Sequence, residues 1–535
     1  MVAASLALVA GCQTADPSAT TDSGSTSLAP AATCAELAVR IVDAVQDYVD
    51  SFATSDASAV TGLVTAGQGD FAAVTEELRA RGEELACDPE DLAAGIREEL
   101  GRLVGGTPVQ DAIAATFRSG PLGTSDPSDP GAVQVTVRTA EELVAALAVV
   151  GSGSTIRLLP GDFVLSAPLV ALRPVTLVGA GDGTVPGEAA STITSTAAEG
   201  ALVVATDGDM VVRDLHLVHS GTTAASVILV AGGGYLFERV QVSGGVTESG
   251  AGGYGIVLRP STGPLTAAGE TQVLRDVVVS GSPAGGVVVA GSQEPTMTGV
   301  TVTGTDGCGL CWVESSGGRA SASTVTGTQV GVRIDDAAAP SVSDVTVSAT
   351  QVGIGFTGTG APRLTANTLT GNATGIQVTG DGAAVFSGNA VADSIDVGIR
   401  ISGPARATFT DTAVSGATTV GVAVVGNAAP TITGGRVATT GEVGLIWAES
   451  ARGRATGVTV AGSRLALQLS DDSAPTIERV TVESASVGSL LANGRSGGTV
   501  SGLACSPGDG AAVALAEQTT VALTGIAGCQ VVDER

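Results

Sequence analysis

A short phrase built around one glycine returns through residues 308–447 at a nearly constant spacing. Each glycine precedes an aliphatic residue, as in Val330-Gly-Val-Arg-Ile, and the first step is 331 − 309 = 22 while the last is 444 − 421 = 23. The glycines are Gly309, Gly331, Gly353, Gly375, Gly398, Gly421 and Gly444. A fixed period of this length indicates a repeat architecture, in which each repeat buries its apolar face against its neighbours.

Composition agrees with a solenoid and restricts the partners. The 535 residues include 76 glycines and 2% aromatic residues, which is typical of a chain with many turns and small packing units. The net charge is -28 and lysine is absent. Because phosphate contacts need clustered Lys and Arg, nucleic acid is excluded as a partner. We expect a monomer.

The start of the repeats carries three further patterns in a fixed order. Thr139-Ala-Glu-Glu is a capping box that leads into an amphipathic helix. Ile156-Arg-Leu-Leu-Pro-Gly-Asp-Phe and Val175-Thr-Leu-Val-Gly-Ala-Gly follow it. With the downstream repeats, this order resembles the pectin-lyase-like right-handed parallel β-helix proteins over residues 132–535.

The resemblance implies a mainly β fold, a right-handed parallel β-helix solenoid whose coils are as long as the step between successive glycines, 22 or 23. In that superfamily the amphipathic helix covers the open first coil. Its members include lyases, hydrolases, epimerases and non-catalytic proteins, so the resemblance does not imply one chemistry.

The N-terminus ends its first apolar stretch in Leu8-Val-Ala-Gly-Cys12, which resembles the lipobox of a bacterial lipoprotein signal peptide. The resemblance implies that residues 1–12 are the signal and that Cys12 is lipid-modified. Residues 13–33 are rich in Ser, Thr, Ala and Pro and predict a flexible tether. We therefore expect a lipid-anchored protein on the extracytoplasmic side of the cell membrane, touching the membrane only through this lipid.

Residues 34–118 change to a helical period, and residues 119–131 form a linker with three prolines and three glycines. The sequence therefore predicts a small helical domain before the β-helix. Cys34 and Cys87 flank its first two predicted helices, so antiparallel packing would bring them together as a disulfide. Cys505 and Cys529 are separated by 529 − 505 = 24, close to one coil, and predict a second disulfide.

Strand alternation predicts the orientation of each phrase. In Val330-Gly-Val-Arg-Ile, we expect the three aliphatic residues to face inward and Gly331 and Arg333 to face outward. The same alternation predicts that Cys308 is a core thiol and that Cys311 points outward. Asn367 and Asn389 are separated by 389 − 367 = 22, one coil, and predict an asparagine ladder between coils.

Acidic residues collect in the turn after the first strand of a coil. Aligning the coils places Glu314 beside Asp336, and Glu449 beside Asp471, with Asp335 and Asp472 next to them. Adjacent coils are ~4.8 Å apart, so each pair is close enough to share a proton or a cation such as Ca²⁺. Both pairs belong to a longer repeat with an offset of 445 − 310 = 135, so the patches are about 29 Å apart.

Two functions remain open. We favour a non-catalytic protein that binds a polysaccharide or another cell-envelope component, since two equivalent weak patches suit multivalent contact or Ca²⁺. The alternative is a polysaccharide lyase or glycoside hydrolase. Its candidate catalytic residues are Glu314, Asp336, Glu449 and Asp471, with Arg333 as a possible base beside a bound Ca²⁺.

The two histidines, His216 and His219, lie three apart on one strand. Alternation points them to opposite faces, which predicts neither a metal pair nor a catalytic pair. No cofactor is otherwise indicated.

Overall fold

The computed structural model describes residues 31–50, 80–104, 132–185, 187–206, 208–248, 251–259, 271–438, 441–506 and 512–535. The chain forms two compact units, Met1–Gln272 and Val273–Arg535. The predicted signal with Cys12, the tether up to residue 30 and the linker 119–131 lie outside the described residues. Within the described part, no helix is both long enough and apolar enough to cross a membrane.

The described residues of the first unit begin with the helices Cys34–Asp50 and Pro89–Leu100, and residues 80–84 between them are also helical. Their apolar faces form one buried cluster that also includes Val203 and Ala205 of the β-strands. The predicted disulfide Cys34–Cys87 is confirmed, with 5.7 Å between its Cα atoms. The helices therefore share a core with the strands of their own unit.

The helix Ala140–Val149 begins with the predicted capping box. Thr139 Oγ1 accepts the N–H of Glu142 at 3.2 Å, and the Glu142 carboxylate accepts the N–H of Arg138 at 2.6 Å. Leu143 is fully buried, and the helix packs against the first three strands. The helix therefore covers the start of the coils, as the resemblance implied.

The strands of the first unit run parallel to their neighbours in successive coils, except for one short antiparallel pair, Thr247–Glu248 with Ala251–Gly252. The others are Gln134–Val137, Thr155–Leu158, Gly161–Leu165, Leu169–Ala171, Thr176–Val178, Ser191–Ser195, Leu202–Ala205, Met210–His219, Ile228–Gly232, Tyr235–Gly244 and Tyr254–Leu258.

Each coil of the second unit has three strands, and each strand pairs in parallel with its equivalent in the next coil. The first strands are Gly285–Val289, Cys308–Trp312, Val330–Ile334, Val352–Phe356, Thr374–Val378, Val397–Ile401, Val420–Val424, Val443–Trp447, Ala512–Leu515 and Gln530–Asp533. The glycine phrase lies in those from Cys308 to Trp447.

The second strands are Gln272–Arg275, Thr296–Thr298, Arg319–Ser321, Ser341–Ser343, Arg363–Thr365, Val385–Ser387, Thr408–Thr410, Thr431–Thr433, Arg454–Thr456, Thr476–Glu478, Thr499–Ser501 and Ala522–Thr524. The third strands are Val278–Ser280, Thr301–Thr303, Thr324–Thr326, Thr346–Ser348, Thr368–Thr370, Ala390–Ala392, Ala413–Ser415, Arg436–Ala438 and Ala504–Cys505. Thr459–Leu469 and Thr481–Ala492 each join a third strand to the first strand of the next coil. The predicted mainly β solenoid after a small helical segment is confirmed.

The repeated glycine faces the core. A Cβ atom added to Gly331 would lie 2.2 Å from Val347 Cγ1, and one added to Gly309 would lie 2.3 Å from Val325 Cγ1. Real Cβ atoms do not approach a side chain so closely, since interiors are close-packed. The glycine is therefore required because a third strand packs directly on the backbone.

This glycine also reverses the alternation of the phrase. Gly331 and Val332 both lie inside, and Ile334 is fully buried. Val330 is half-buried, and a Cβ added to Gly355 of the next coil would meet its Cγ1 at 3.5 Å. The first and fourth residues of the phrase therefore share the outer face. The prediction that Val330 faces inward and Gly331 outward is wrong.

The two cysteines of Cys308-Gly-Leu-Cys311 occupy these first and fourth positions. They form a disulfide with 5.9 Å between their Cα atoms, and both are buried. The prediction that one is a core thiol and the other points outward is wrong, because it assumed regular alternation through Gly309. The disulfide Cys505–Cys529 is confirmed, with a Cα–Cα distance of 5.2 Å.

A buried asparagine ladder joins neighbouring coils, as predicted. Asn367 Nδ2 donates to Asn389 Oδ1 at 2.9 Å, and Asn389 Nδ2 donates to the carbonyl of Leu364 at 2.9 Å. Asn389 Oδ1 also accepts the N–H of Asn367 at 3.0 Å. These bonds satisfy polar groups at a corner where the strand ladder is interrupted.

Candidate functional site

The four paired acids of the turns have a left-handed backbone. The φ angles are +61° at Glu314, +52° at Asp336, +60° at Glu449 and +58° at Asp471. Glycines take the same position in other coils, namely Gly291, Gly403, Gly426 and Gly494. Glycine adopts this conformation without steric cost, whereas other residues adopt it only where the surrounding structure compensates. The turn geometry therefore belongs to the fold, and the acids are additions to it.

The main chain and the acids are joined in the same way in both turns. The N–H of Glu314 donates to Asp336 Oδ2 at 2.9 Å, and the N–H of Glu449 donates to Asp471 Oδ2 at 2.9 Å. Each aspartate therefore binds the turn of the preceding coil. The structure brings together the acids of each predicted pair through this contact.

A buried tryptophan closes each turn from the inside. Trp312 Nε1 donates to the carbonyl of Gly317 at 2.9 Å, and Trp447 Nε1 donates to that of Arg452 at 3.2 Å. Trp312 and Gly317 correspond to Trp447 and Arg452 by the same offset of 135 residues that relates Glu314 to Glu449. The duplication read from the sequence is thus present in the geometry.

The flanking acids are not equivalent. Asp335 is buried, and its Oδ2 accepts from Arg333 Nε at 2.5 Å while Thr357 Oγ1 donates to its other oxygen. By the same long offset its counterpart is Ser470, whereas Asp472 corresponds to Ala337. Each turn therefore has one flanking acid of its own.

Asp472 is held by two arginines. Arg495 donates to both of its carboxylate oxygens, at 2.7 and 2.6 Å, and Arg452 Nη1 donates to its carbonyl at 2.7 Å. The hydrogen bonds from Arg495 lower the pKa of Asp472, with a further Coulombic contribution from Arg495 and Arg452 that acts against its desolvation. Asp472 is therefore a charged structural partner.

Glu314 and Glu449 differ in exposure. One carboxyl oxygen of Glu314, Oε1, is buried and has no hydrogen-bond partner among the described residues, whereas Glu449 is exposed. A buried polar atom without a partner is unusual in a native structure. Glu314 is therefore the acid of this set with a hydrogen-bonding capacity that a ligand would satisfy.

The pairs fall short of a metal site. Within the part of the chain that the structure describes, no three His, Cys, Asp or Glu side chains are placed to hold one ion. Ca²⁺ takes six to eight oxygen ligands. Two carboxylates that already bind a main-chain N–H or an arginine do not supply them, so the predicted Ca²⁺ role has no support in this geometry.

The outer face of the first strands in the second unit has a polar column that the sequence did not single out. Register places Arg333, Gly355, Gln377 and Arg400 side by side in successive coils. Arg400 is exposed and has no ion-pair partner among the described residues. The sequence analysis expected Arg333 to face outward, but it did not follow that position through the next coils to Gln377 and Arg400.

The histidines diverge, as predicted. His219 is buried and one of its ring nitrogens, Nε2, lies 2.8 Å from the carbonyl oxygen of Ala197. His216 is half-buried on the other side of the strand, and its Nε2 lies 2.8 Å from Ser243 Oγ. They form no pair with each other.

Comparison with known proteins identifies the coils. A family model described as the right-handed β-helix region matches residues 226–391 and 374–521. No curated protein matches the chain.

Solved structures that are similar to this chain include a glucanase, an epimerase and a lyase. The catalytic unit of a GH87 α-1,3-glucanase from Streptomyces thermodiastaticus strain HF3-3 is 15% identical, over 76% of this chain and 67% of that chain, with a TM-score of 0.35. The A-module of a mannuronan C-5 epimerase from Azotobacter vinelandii is 14% identical, over 70% and 100% of the chains, with a TM-score of 0.31. A PL6 alginate lyase in complex with a trisaccharide is 11% identical, over 76% and 87%, with a TM-score of 0.33.

Proposed function

Because the chain belongs to the right-handed β-helix family, we propose that it is a non-catalytic protein that binds a polysaccharide or another cell-envelope component. The observation that carries the non-catalytic part is the state of the acids. Asp336 and Asp471 each accept a main-chain N–H, and Asp335 and Asp472 are held by arginines. A general acid or nucleophile needs a carboxyl group directed at the substrate.

The proposed binding surface is the outer face of the first strands in the second unit. Hydrogen-bond donors come from the column Arg333, Gly355, Gln377 and Arg400. Gly355 has no side chain, so space is left between Arg333 and Gln377. The neighbouring outer column, with Val330 and other small aliphatic residues, supplies apolar contact. Sugar rings present hydroxyl groups and C–H surfaces, and sites that combine an apolar lining with a few placed polar groups suit such ligands.

The location is part of the proposal. The lipobox-like sequence ending at Cys12 supports a lipid anchor, and three disulfides, Cys34–Cys87, Cys308–Cys311 and Cys505–Cys529, favour an oxidising compartment. A lipid-anchored, extracytoplasmic protein would meet envelope polysaccharides directly.

A glycan array followed by equilibrium binding tests the proposal. Arg400→Ala is expected to weaken binding of a glycan hit about tenfold, because it removes a charge-assisted donor from the column. Arg363→Ala, an exposed arginine on a second strand, serves as the matched control and keeps the wild-type affinity. Equal affinity for wild type and Arg400→Ala would contradict the assigned face.

One observation favours the catalytic alternative, a polysaccharide lyase or glycoside hydrolase. The buried Oε1 of Glu314 has no partner among the described residues, so a sugar hydroxyl that donates to it is a fitting ligand. The purified protein is assayed for release of reducing ends or unsaturated products. If it forms such products and Glu314→Gln loses this activity while Glu449→Gln keeps it, the protein is an enzyme and the non-catalytic proposal is wrong. The absence of product in both assays would rule out this alternative.

A further inference from the structure

A second group of reactive side chains lies in the first unit, away from the acidic turns. Met210–His219 and Tyr235–Gly244 pair in parallel, with His216 opposite Gln241 and Val218 opposite Ser243. The apolar residues that alternate with them point inside and are fully buried, namely Leu215, Leu217, Val240 and Val242. His216 and Ser243 therefore share the outer face of the two strands, where both are half-buried.

The two side chains touch through the atoms that nucleophilic catalysis uses. Ser243 Oγ lies 2.8 Å from His216 Nε2, a hydrogen-bond distance. A serine hydroxyl bonded to a neutral imidazole is the starting arrangement for general-base activation of the oxygen. The bond also joins neighbouring coils, since the two residues are 27 apart in the chain.

Two carboxylates act on this histidine. Asp162 belongs to the same outer column, since it pairs with Thr192, which in turn pairs with His216. Asp182 follows the strand Thr176–Val178, and its Oδ1 accepts the N–H and the hydroxyl of Thr184 at 3.0 and 2.7 Å. These two hydrogen bonds orient the Asp182 carboxyl group.

Burial lowers the pKa of His216, while the charges of Asp182 and Asp162 act in the opposite direction. The imidazole is therefore neutral near pH 7 and able to accept a proton, and the carboxylates stabilise the imidazolium that forms. His219 differs, because it is buried and bonded to a main-chain carbonyl.

We propose that Ser243 and His216, with Asp182 and Asp162 as supporting charges, form a serine-nucleophile site that hydrolyses small O-acyl esters such as acetate esters. Both side chains reach solvent on an open strand face, which suits a small acyl group on a larger alcohol. The site belongs to the first unit and does not depend on the proposed polysaccharide binding by the second.

The reaction balances with water as the only co-reactant. Ser243 Oγ bonds to the ester carbonyl carbon, and its proton moves to His216 Nε2. The ester C–O bond then breaks, the alcohol oxygen takes that proton, and the acyl group stays on Ser243. A water molecule gives a proton to the same imidazole and adds to the acyl carbon. The bond from the acyl carbon to Ser243 Oγ then breaks, the serine oxygen takes the proton back, and the acid leaves.

The test uses the intact protein with a serine-directed fluorophosphonate and with p-nitrophenyl acetate. We expect the probe to label wild type, with the label on the peptide that contains Ser243, and ester hydrolysis to show an initial burst from acylation. Ser243→Ala and His216→Gln are expected to lose labelling and to hydrolyse the ester more than tenfold slower. Asp182→Asn should retain labelling at a rate several-fold lower.

Ser343→Ala is the matched control, since Ser343 is also half-buried at the outer end of a strand, and it keeps the wild-type rates. Labelling of wild type at a residue other than Ser243, or no labelling of wild type, would overturn the proposal. The proposal would also be overturned if ester hydrolysis persists in Ser243→Ala but falls in His216→Gln. That result would show that His216 promotes hydrolysis without Ser243 as the nucleophile. Peptide mapping of wild type decides the question even if a variant fails to fold.

Discussion

The turns at Glu314 and Glu449 lie six coils apart, and they have the same left-handed backbone, the same N–H to carboxylate bond and the same tryptophan beneath them. They differ in the exposure of the glutamate and in the residues at the first and fourth positions of the preceding strand. One has a partly buried glutamate above a Cys308–Cys311 disulfide, and the other has an exposed glutamate above Val443 and Ile446. The backbone conformation, the N–H to carboxylate bond and the tryptophan, which both turns share, are therefore what the fold of the coil requires. A role that depends on a ligand should be sought in the features that differ between the two turns.

The largest expected effect concerns the glycine beneath each turn. Gly309→Ala and Gly444→Ala place a methyl group 2.3 Å and 2.5 Å from a valine Cγ1, so each is expected to lower the free energy of unfolding by about 1–3 kcal/mol. Denaturant unfolding measures it. Gly355→Ala is the control, because its added Cβ meets only ordinary contacts on the outer face. A loss at one glycine but not at the other would show that the two turns do not share a packing scheme.

Next is the disulfide that only one turn has. Cys308→Val with Cys311→Ile copies the residues of the equivalent strand, Val443 and Ile446. A disulfide that closes so short a loop constrains the unfolded chain little, so the expected loss is at most about 2 kcal/mol. Thermal unfolding of the double variant and of wild type, both without reductant so that the other two disulfides stay formed, checks this. Failure of the variant to fold would mean that the Glu314 turn depends on the disulfide.

A smaller effect is expected from the aspartates that bind the main chain. Asp336→Ala and Asp471→Ala each remove one acceptor, at an expected cost of about 1 kcal/mol, and Asn at either position should recover most of it. Equal losses in urea unfolding would establish a structural role common to both. If Asp336→Asn keeps its stability but loses glycan binding or turnover while Asp471→Asn does not, the Glu314 turn is functional and its copy is not.

The smallest effect is a pH dependence confined to the Glu449 turn. The hydrogen bonds from Arg495 lower the pKa of Asp472 below its ordinary value of 3.8. Their contribution to stability is thus complete above that value and is lost as the pH falls through the lowered pKa. Arg495→Gln should move the carboxyl titration, followed by NMR, back towards the ordinary value. An unchanged titration would show that the pair seen here does not persist in solution.

The sequence was sufficient for the fold because its signals are periodic and redundant. The spacing of the glycine phrase and the pair Asn367 and Asn389 predict coils, the capping box at Thr139 predicts the helix before them, and each was confirmed. The disulfides Cys34–Cys87 and Cys505–Cys529 followed from helix ends and coil length.

The direction in which each residue of the phrase faces was harder to predict, because it depends on one glycine of that phrase. Alternation assumes a regular strand, and Gly331 breaks it by turning two successive residues inward. That single error gave the wrong face for Val330, Gly331 and Cys308, whereas Arg333 was correctly expected to face outward. The pairing of Ser243 with His216 was also out of reach, since it depends on register between coils of unequal length. The roles of Glu314, Asp336, Glu449 and Asp471 stay predictions, because placement alone does not establish chemistry.

The long offset between the two turns has a consequence for how such a chain changes over generations. A block of six whole coils begins and ends at equivalent points of two coils. Such a block can therefore be duplicated or deleted without changing the fold of the segments on either side. After copying, one turn is enough to keep any original activity, and the other is free to accumulate substitutions that folding tolerates. The exposed Glu449, the aliphatic residues Val443 and Ile446 and the ion-paired Asp472 are differences that the folding of the shared coil tolerates.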